Sequence, residues 1–257
     1  MNEGLSVTDI SVRYGSRPVL SGLTLPRMLP GEVTVLAGPN AAGKSTLLRA
    51  IAQIAPYQGS VTLDGRDLRH RPATERAGLI GFMPQTLPAA TSLIALEAII
   101  AALRAGRTLP AREADHAAMS IMEKLGIASL ALEPIEALSG GQRQMVSLAQ
   151  AIVRDPRLLL LDEPTSALDL ARQVRLLSEL RRLAAEGRIV AAVLHDLALA
   201  AQWADRIVLI HDGHVHAHGR PEEVLTPTLL AEVYGVSARV ERCSKGRLMV
   251  LIDGEIA

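Results

Sequence analysis

A short apolar run, Val33–Ala37, ends in Gly38-Pro39-Asn40-Ala41-Ala42-Gly43-Lys44-Ser45, and a segment of helical character, residues 46–54, follows directly. Two glycines spaced by four residues, followed by Lys and Ser and set between a strand and a helix, are the sequence form of a loop that wraps phosphate. Successive backbone N–H groups at the helix N-terminus do the wrapping, and the helix dipole favours the anion there. In such a cradle Gly38, Pro39, Asn40, Ala41, Ala42 and Gly43 supply backbone. Lys44 reaches the terminal phosphates as a point charge, the Ser45 hydroxyl ligates Mg²⁺, and Thr46 caps the cradle from the next position.

A second buried-type run, Leu158-Leu159-Leu160-Leu161, ends in Asp162-Glu163. Asp162 suits a Mg²⁺ role through water, and Glu163 is placed to polarise an attacking water as general base. Alone, this would read as a strand followed by a solvated acidic turn. Beside a phosphate loop it predicts hydrolysis of a nucleoside triphosphate held with Mg²⁺. Tyr14, just before Gly15, offers a ring on which adenine can stack. It is one of only five aromatic residues; the plain alternative is a partly buried core tyrosine.

Residues 5–13 read as an edge-like strand with imperfect alternation. Residues 59–64, 79–83, 188–194 and 207–210 read as further strands. Helical patterns lie between them, which predicts an α/β fold with a largely parallel sheet. Strand signals vanish between 86 and 155. There, residues 92–105 and 111–125 look helical, with Pro110 at a first turn and Gly126 as a stop. The expectation is one domain over 1–257: an α/β core (1–85 and 155–225) with a largely parallel sheet, an inserted helical subdomain (86–154), and a C-terminal tail (226–257). Asp212-Gly213, flanked by apolar residues, is a hairpin signal.

Leu138-Ser139-Gly140-Gly141-Gln142 lies after the phosphate loop and just before the acidic strand end. Ser139 suits a helix N-cap, and the two glycines let a phosphate approach bare backbone. With these motifs in this order, the chain resembles the ATP-binding subunits of ABC transporters from about Leu5 to about Val240. The resemblance implies a P-loop NTPase core of mixed, largely parallel sheet with an N-terminal antiparallel β part, and ATP as the nucleotide. It also implies that Ser139, Gly140, Gly141 and Gln142 contact the γ-phosphate of ATP held by a partner subunit. Two chains, head to tail, would then make two composite sites. It implies that Gln85 touches Mg²⁺ and the attacking water, that His195 holds the γ-phosphate and that water, and that Asp169 of Ser166-Ala167-Leu168-Asp169 works across the dimer. One departure stands out: the family usually has Gly where this chain has Ala41. If that backbone needs a positive φ, Ala costs about 1–2 kcal/mol there.

The segment 219–236, Gly-Arg-Pro-Glu-Glu-Val-Leu-Thr-Pro-Thr-Leu-Leu-Ala-Glu-Val-Tyr-Gly-Val, resembles the ATPases of bacterial importers for ferric siderophore, haem and cobalamin. Gly106-Arg107 fits that group too, although the aromatic-rich continuation is missing. Ferric siderophore is the first expectation, with haem and cobalamin open. The resemblance implies polytopic permease subunits as partners, a homodimer, an indirect link to a substrate-binding protein, and a peripheral place on the cytoplasmic face of the inner membrane. A soluble scaffold-type ABC ATPase remains the rival.

Bulk properties agree with that picture. The formal net charge is zero and the pI near 7.1, so no electrostatic footprint for nucleic acid appears. One cysteine, Cys243, excludes an internal disulfide and is expected to be inert. The start, Met1-Asn2-Glu3-Gly4, lacks the basic region and apolar run of a signal peptide. No stretch approaches the roughly 18 uncharged apolar residues of a membrane span. His214, His216 and His218 alternate along a strand and face one side, as a metal site or, more plainly, as a solvated face. Trp203 reads as a packing residue and Arg181-Arg182 as a helix face.

Overall fold

Val33–Ala37, Leu158–Asp162 and Ile189–Val193 are buried at every position. Strands covered on both faces carry continuous apolar runs, as parallel strands between helices must. The computed structural model describes residues 3–86, 92–105 and 108–256. Its first half runs β1 (Leu5–Tyr14), β2 (Arg17–Leu23), β3 (Val33–Ala37), α1 (Lys44–Ile51), β4 (Gln58–Leu63), β5 (Arg66–Asp67), α2 (Ala73–Leu79) and β6 (Ile80–Met83). Three helices follow, α3 (Ala95–Arg104), α4 (Ala111–Lys124) and α5 (Gly140–Ile152). Then come β7 (Leu158–Asp162), α6 (Leu170–Ala185), β8 (Ile189–Val193), α7 (Leu197–Trp203), β9 (Arg206–His211) and β10 (His214–Gly219). The chain finishes with α8 (Pro221–Val224), α9 (Pro227–Tyr234), β11 (Val236–Arg242) and β12 (Leu248–Glu255).

The main sheet has the order β10-β9-β3-β8-β7-β6. Its five strands from β9 to β6 are parallel, and β10 returns antiparallel through the Asp212-Gly213 turn. Strand alternation sorts the core into two parts. Leu158, Leu160, Ala191, Val193 and Leu36 pack with α1 and the N-terminal sheet. Leu159, Leu161, Val190, Ala192, Val33 and Val35 face the other way, onto α5, α6, α7 and the tail. The central strands are thereby clamped from both sides, which fixes where their carboxyl ends point.

Residues 5–13 are not an edge. β1 pairs antiparallel with both β2 and β4 in a second sheet of order β2-β1-β4-β5. The sequence reading lacked β2, whose Arg17-Pro18-Val19-Leu20-Ser21-Gly22-Leu23 is interrupted by Pro and Gly and shows little alternation. The imperfect pattern of β1 has a physical source: Asp9 has a φ of 55°, and the register with β4 slips between Thr8 and Ser11. That bulge switches which face later residues present.

In the helical region, α3, α4 and α5 pack around Ala95, Ile99, Ala114, Ala118, Met122, Met145 and Leu148. Pro110 sits just before α4, and Gly126, with a φ of 67°, follows its end. Gly106-Arg107 lies outside the described residues. His214, His216 and His218 line the exposed face of β10. Among the described residues no group of three His, Cys, Asp or Glu is arranged to hold a metal ion. Among them, too, no helix is long and apolar enough to cross a membrane.

Candidate active site

The parallel strands β3, β8, β7 and β6 lie side by side, and each delivers one part of the site at its carboxyl end. Open α/β sheets bind ligands at that edge. From β3 come Gly38 and the loop to Lys44, from β8 His195, from β7 Asp162 and Glu163, and from β6 Gln85. A cleft of about 280 Å³ results, lined by Asn40, Ala41, Ala42, Gly43, Lys44, Ser45, Thr46, Glu163 and His195. Arg17 and Val19 of β2 complete the wall. Sequence reasoning missed both, and the only signal was their closeness to Tyr14 in the first hairpin.

Backbone geometry makes the cradle. A Cβ on Gly38 would stand 2.0 Å from the Ile210 carbonyl oxygen, so strand and loop can pass only if that residue is Gly. Ala41 has a φ of 64°, the left-handed region in which a Cβ is penalised. The condition set by the sequence is therefore met: alanine sits where the loop needs a positive φ.

Lys44 is buried, and its Nζ donates to the carbonyl oxygens of Gly38 and Pro39, 2.7 Å each. Burial pushes its ammonium below the usual lysine value, against the pull of Glu163 and Asp162. Ser45 Oγ donates to Asp162 Oδ1 at 2.7 Å. Asp162 is fully buried, its Oδ2 has no hydrogen-bond partner, and Arg49 Nη2 stands 4.0 Å from that oxygen. Burial raises the Asp162 carboxyl above the ordinary carboxylate range, with the Ser45 hydroxyl and Arg49 opposing. A hydroxyl oxygen and an orphaned buried carboxylate oxygen, both hard donors, suit a small divalent cation. These residues therefore fit Mg²⁺.

Glu163 is gripped from two sides. Gln85 Nε2 donates to its Oε2 at 2.8 Å, and His195 Nε2 lies 2.6 Å from its Oε1. Its backbone is also unusual, with a φ of 52°. The Glu163 carbonyl accepts from Gln144 Nε2 at 3.2 Å and from Ser166 Oγ at 3.1 Å. Gln144 also donates to Ser166 Oγ and accepts from the Ala167 N–H. It is a buried polar side chain of α5, two residues beyond Gln142. The missed signal was a lone amide on the face of α5 that carries Gly141, Met145 and Leu148 into the core.

The structure does not bring every expected residue into this cleft. Ser139 caps α5: it accepts from the Gln142 N–H, while Gln142 Oε1 accepts from the Ser139 N–H at 2.8 Å. Gly140 lies beside Ala167, and a Cβ on Gly141 would stand 2.8 Å from the Ala167 carbonyl oxygen. Gly141 is thus required by packing within its own chain. Asp169 caps α6 through the Arg172 N–H and pairs with Arg172 at 2.9 Å. Tyr14 is half exposed on the hairpin that carries Arg17, with which it is paired. Tyr234 comes from the tail to the start of the loop: burial pushes its phenol up to about 12, against a hydrogen bond from the Gly38 backbone.

Comparison with known proteins decides the family. The ABC transporter family profile matches residues 25–166. The chain belongs to the ABC transporter ATP-binding family. It is 36% identical to a hemin import ATP-binding protein HmuV of Jannaschia, over 96% of this chain and 93% of that one. It is 40% identical to the protein of the same name from Gloeobacter violaceus, over 93% and 90%. Among solved structures, an inward-facing transporter of the metal-chelate ABC type matches with a TM-score of 0.81 at 26% identity, covering 98% of each chain. A dimeric bacterial ABC transporter cassette matches with a TM-score of 0.76 at 26% identity, over 84% of this chain and 98% of that one. ABC ATPases of this kind bind ATP and hydrolyse it to drive transport, and their family works with permease subunits.

Proposed function

We propose that this ABC ATPase powers import of an iron chelate, haem first, as a homodimer on polytopic permease subunits at the cytoplasmic face of the inner membrane. The cargo reading rests on one observation: relatives covering nearly the whole chain are hemin import proteins by name. Ferric siderophore, the first expectation from the tail, stays as the second reading, supported by the metal-chelate type of the matching transporter. A substrate-binding protein would deliver the cargo on the far side of the membrane.

The chemistry follows from the residues. Lys44 exchanges its two carbonyl partners for the β- and γ-phosphates of ATP, and the cradle from Gly38 to Thr46 holds the phosphates by backbone N–H groups. Ser45 and Asp162, with Gln85 nearby, would hold Mg²⁺, which when bound neutralises charge on the phosphoryl oxygens. Glu163 takes the proton of the attacking water, and Gln85 and His195 fix the direction of its carboxylate. Tyr14 stacks on adenine. Ser139, Gly140, Gly141, Gln142 and Asp169 of a second copy close the cleft. Within one chain they stand outside it and are satisfied by their own caps, which supports a role in trans. The division into core (1–85, 155–225), helical subdomain (86–154) and tail (226–257) serves this scheme, the helical part carrying closure to the permease.

The test is to recover a tagged copy from gently solubilised native membranes. A polytopic permease should come with it, and the complex should turn over ATP faster with haem-loaded binding protein than with a ferric siderophore-loaded one. Faster turnover with the siderophore exchanges the two cargo readings. Soluble partners alone, with no permease, would remove the importer reading.

A further inference from the structure

A second cleft, of about 480 Å³, opens between the core and the β11–β12 hairpin of the tail. Five arginines line it: Arg181 of α6, Arg206 of β9, Arg220 ahead of α8, Arg242 of β11 and Arg247 ahead of β12. Among the described residues three carboxylates share its wall, Glu32, Asp205 and Glu222, against the five arginines, a difference of two positive charges. The pairs are loose. Arg181 stands 3.8 Å from Asp205, Arg206 3.8 Å from Glu32, and Arg242 3.9 Å from Glu222, all beyond hydrogen-bond reach. Elsewhere in the protein arginines close on their partners, as Arg239 does on Asp253 at 2.9 Å and Arg71 on Glu75 at 2.7 Å.

Two of the guanidinium groups are nevertheless held in place. Arg181 Nε donates to the Trp203 carbonyl at 3.1 Å and the group lies 5.8 Å over the Trp203 ring. Arg242 Nη1 donates to the Gly246 carbonyl at 2.9 Å. Anchored planar forks with unspent N–H groups, in a concave site with excess charge, match carboxylate and phosphate oxygens.

We infer that this cleft binds a small polyanion, a molecule carrying two or more carboxylate or phosphate groups. Its position links it to the nucleotide site. One wall is α7, the helix that starts just after His195. The other wall is the tail, whose α9 carries Tyr234 to the Gly38 backbone. A ligand bridging the walls fixes the tail against the core at the helix behind His195 and, through α9, at the head of the phosphate loop.

Isothermal titration calorimetry on the full chain tests this, with citrate and inorganic phosphate as probes. Saturating ADP keeps the phosphate loop filled, and ionic strength is held constant. Citrate, phosphate or both should bind at one site per chain, and the double substitution Arg242→Ser with Arg247→Ser should weaken that binding about tenfold or more. The corresponding double Lys variant keeps the charge without the fork and should fall between. Arg239→Ser, outside the cleft, should bind as wild type. Citrate alone assigns a polycarboxylate ligand, and phosphate alone a phosphorylated one. If neither probe binds, or the double Ser variant binds both as well as wild type, the inference is overturned.

Discussion

Ser45 and Asp162 lie 117 residues apart in sequence and 2.7 Å apart in space, joined by a hydrogen bond from the serine hydroxyl to one carboxylate oxygen. The other oxygen is buried and accepts no hydrogen bond, with Arg49 Nη2 4.0 Å away. This pair places the phosphate loop and the acidic strand end on one metal-sized locus. It does so at a cost in stability, because a desolvated carboxylate without a cation is unfavourable.

Asp162→Asn should expose that cost. Asn keeps an acceptor for Ser45 and removes the buried charge. Because the folded pKa of Asp162 is raised, its contribution to stability is present in full below the ordinary carboxylate pKa and is lost as pH rises through the raised value. Without metal, the variant should therefore unfold at higher temperature than wild type at neutral pH, and the two should converge in acid. Thermal unfolding from about pH 4 to 8 reads this out. Added Mg²⁺ should stabilise wild type only, and the variant should lose ATP turnover.

Glu163→Gln should cut turnover by about 10²–10⁴-fold while ATP binding persists. The dimer should then accumulate closed with nucleotide trapped, which gel filtration in ATP detects. Hydrolysis near the wild-type rate would remove Glu163 from the base role.

Ala41→Gly should relieve strain. The positive φ of Ala41 costs about 1–2 kcal/mol, while glycine adds about 0.4–1 kcal/mol of unfolded-state entropy. The net gain is between zero and about 1.6 kcal/mol, seen as a higher melting temperature or as ATP affinity tighter by up to roughly tenfold. A loss of both would mean that the loop does not keep this backbone in solution.

Gln144→Leu should lower kcat more than it changes KM for ATP. It removes the amide that ties α5 to the Glu163 carbonyl, Ser166 and Ala167. A stability loss of about 1–3 kcal/mol is expected from the groups left unsatisfied. A fall in stability with kcat intact would make Gln144 a structural residue only.

The phosphate loop was legible in the sequence because its chemistry is local: consecutive backbone N–H groups, then Lys44 and Ser45, at a strand-to-helix junction. The buried runs of β3, β7 and β8 were equally plain, since a strand covered on both faces carries a nearly continuous apolar run. The Asp212-Gly213 turn was legible for the same local reason. Sequence could also mark Gln85, Glu163 and His195 as residues near strand ends.

Family resemblance implied that these three meet at one water; only the tertiary structure gives the physical reason and the contacts. β6, β7 and β8 are neighbours in one parallel sheet, so their carboxyl ends share an edge. It decided that β1 is an inner strand, because the partner β2 has no alternation to announce it. It put Ala41 in the left-handed region, since the path of a loop is set by what its ends pack against. It also put Arg17 on the wall of the nucleotide cleft, Gln144 behind Glu163 and five arginines around the tail cleft, residues whose meaning lies in neighbours far away in sequence. Short-range chemistry can be read from residue order, but electrostatic and packing relationships depend on distances that only the folded chain defines.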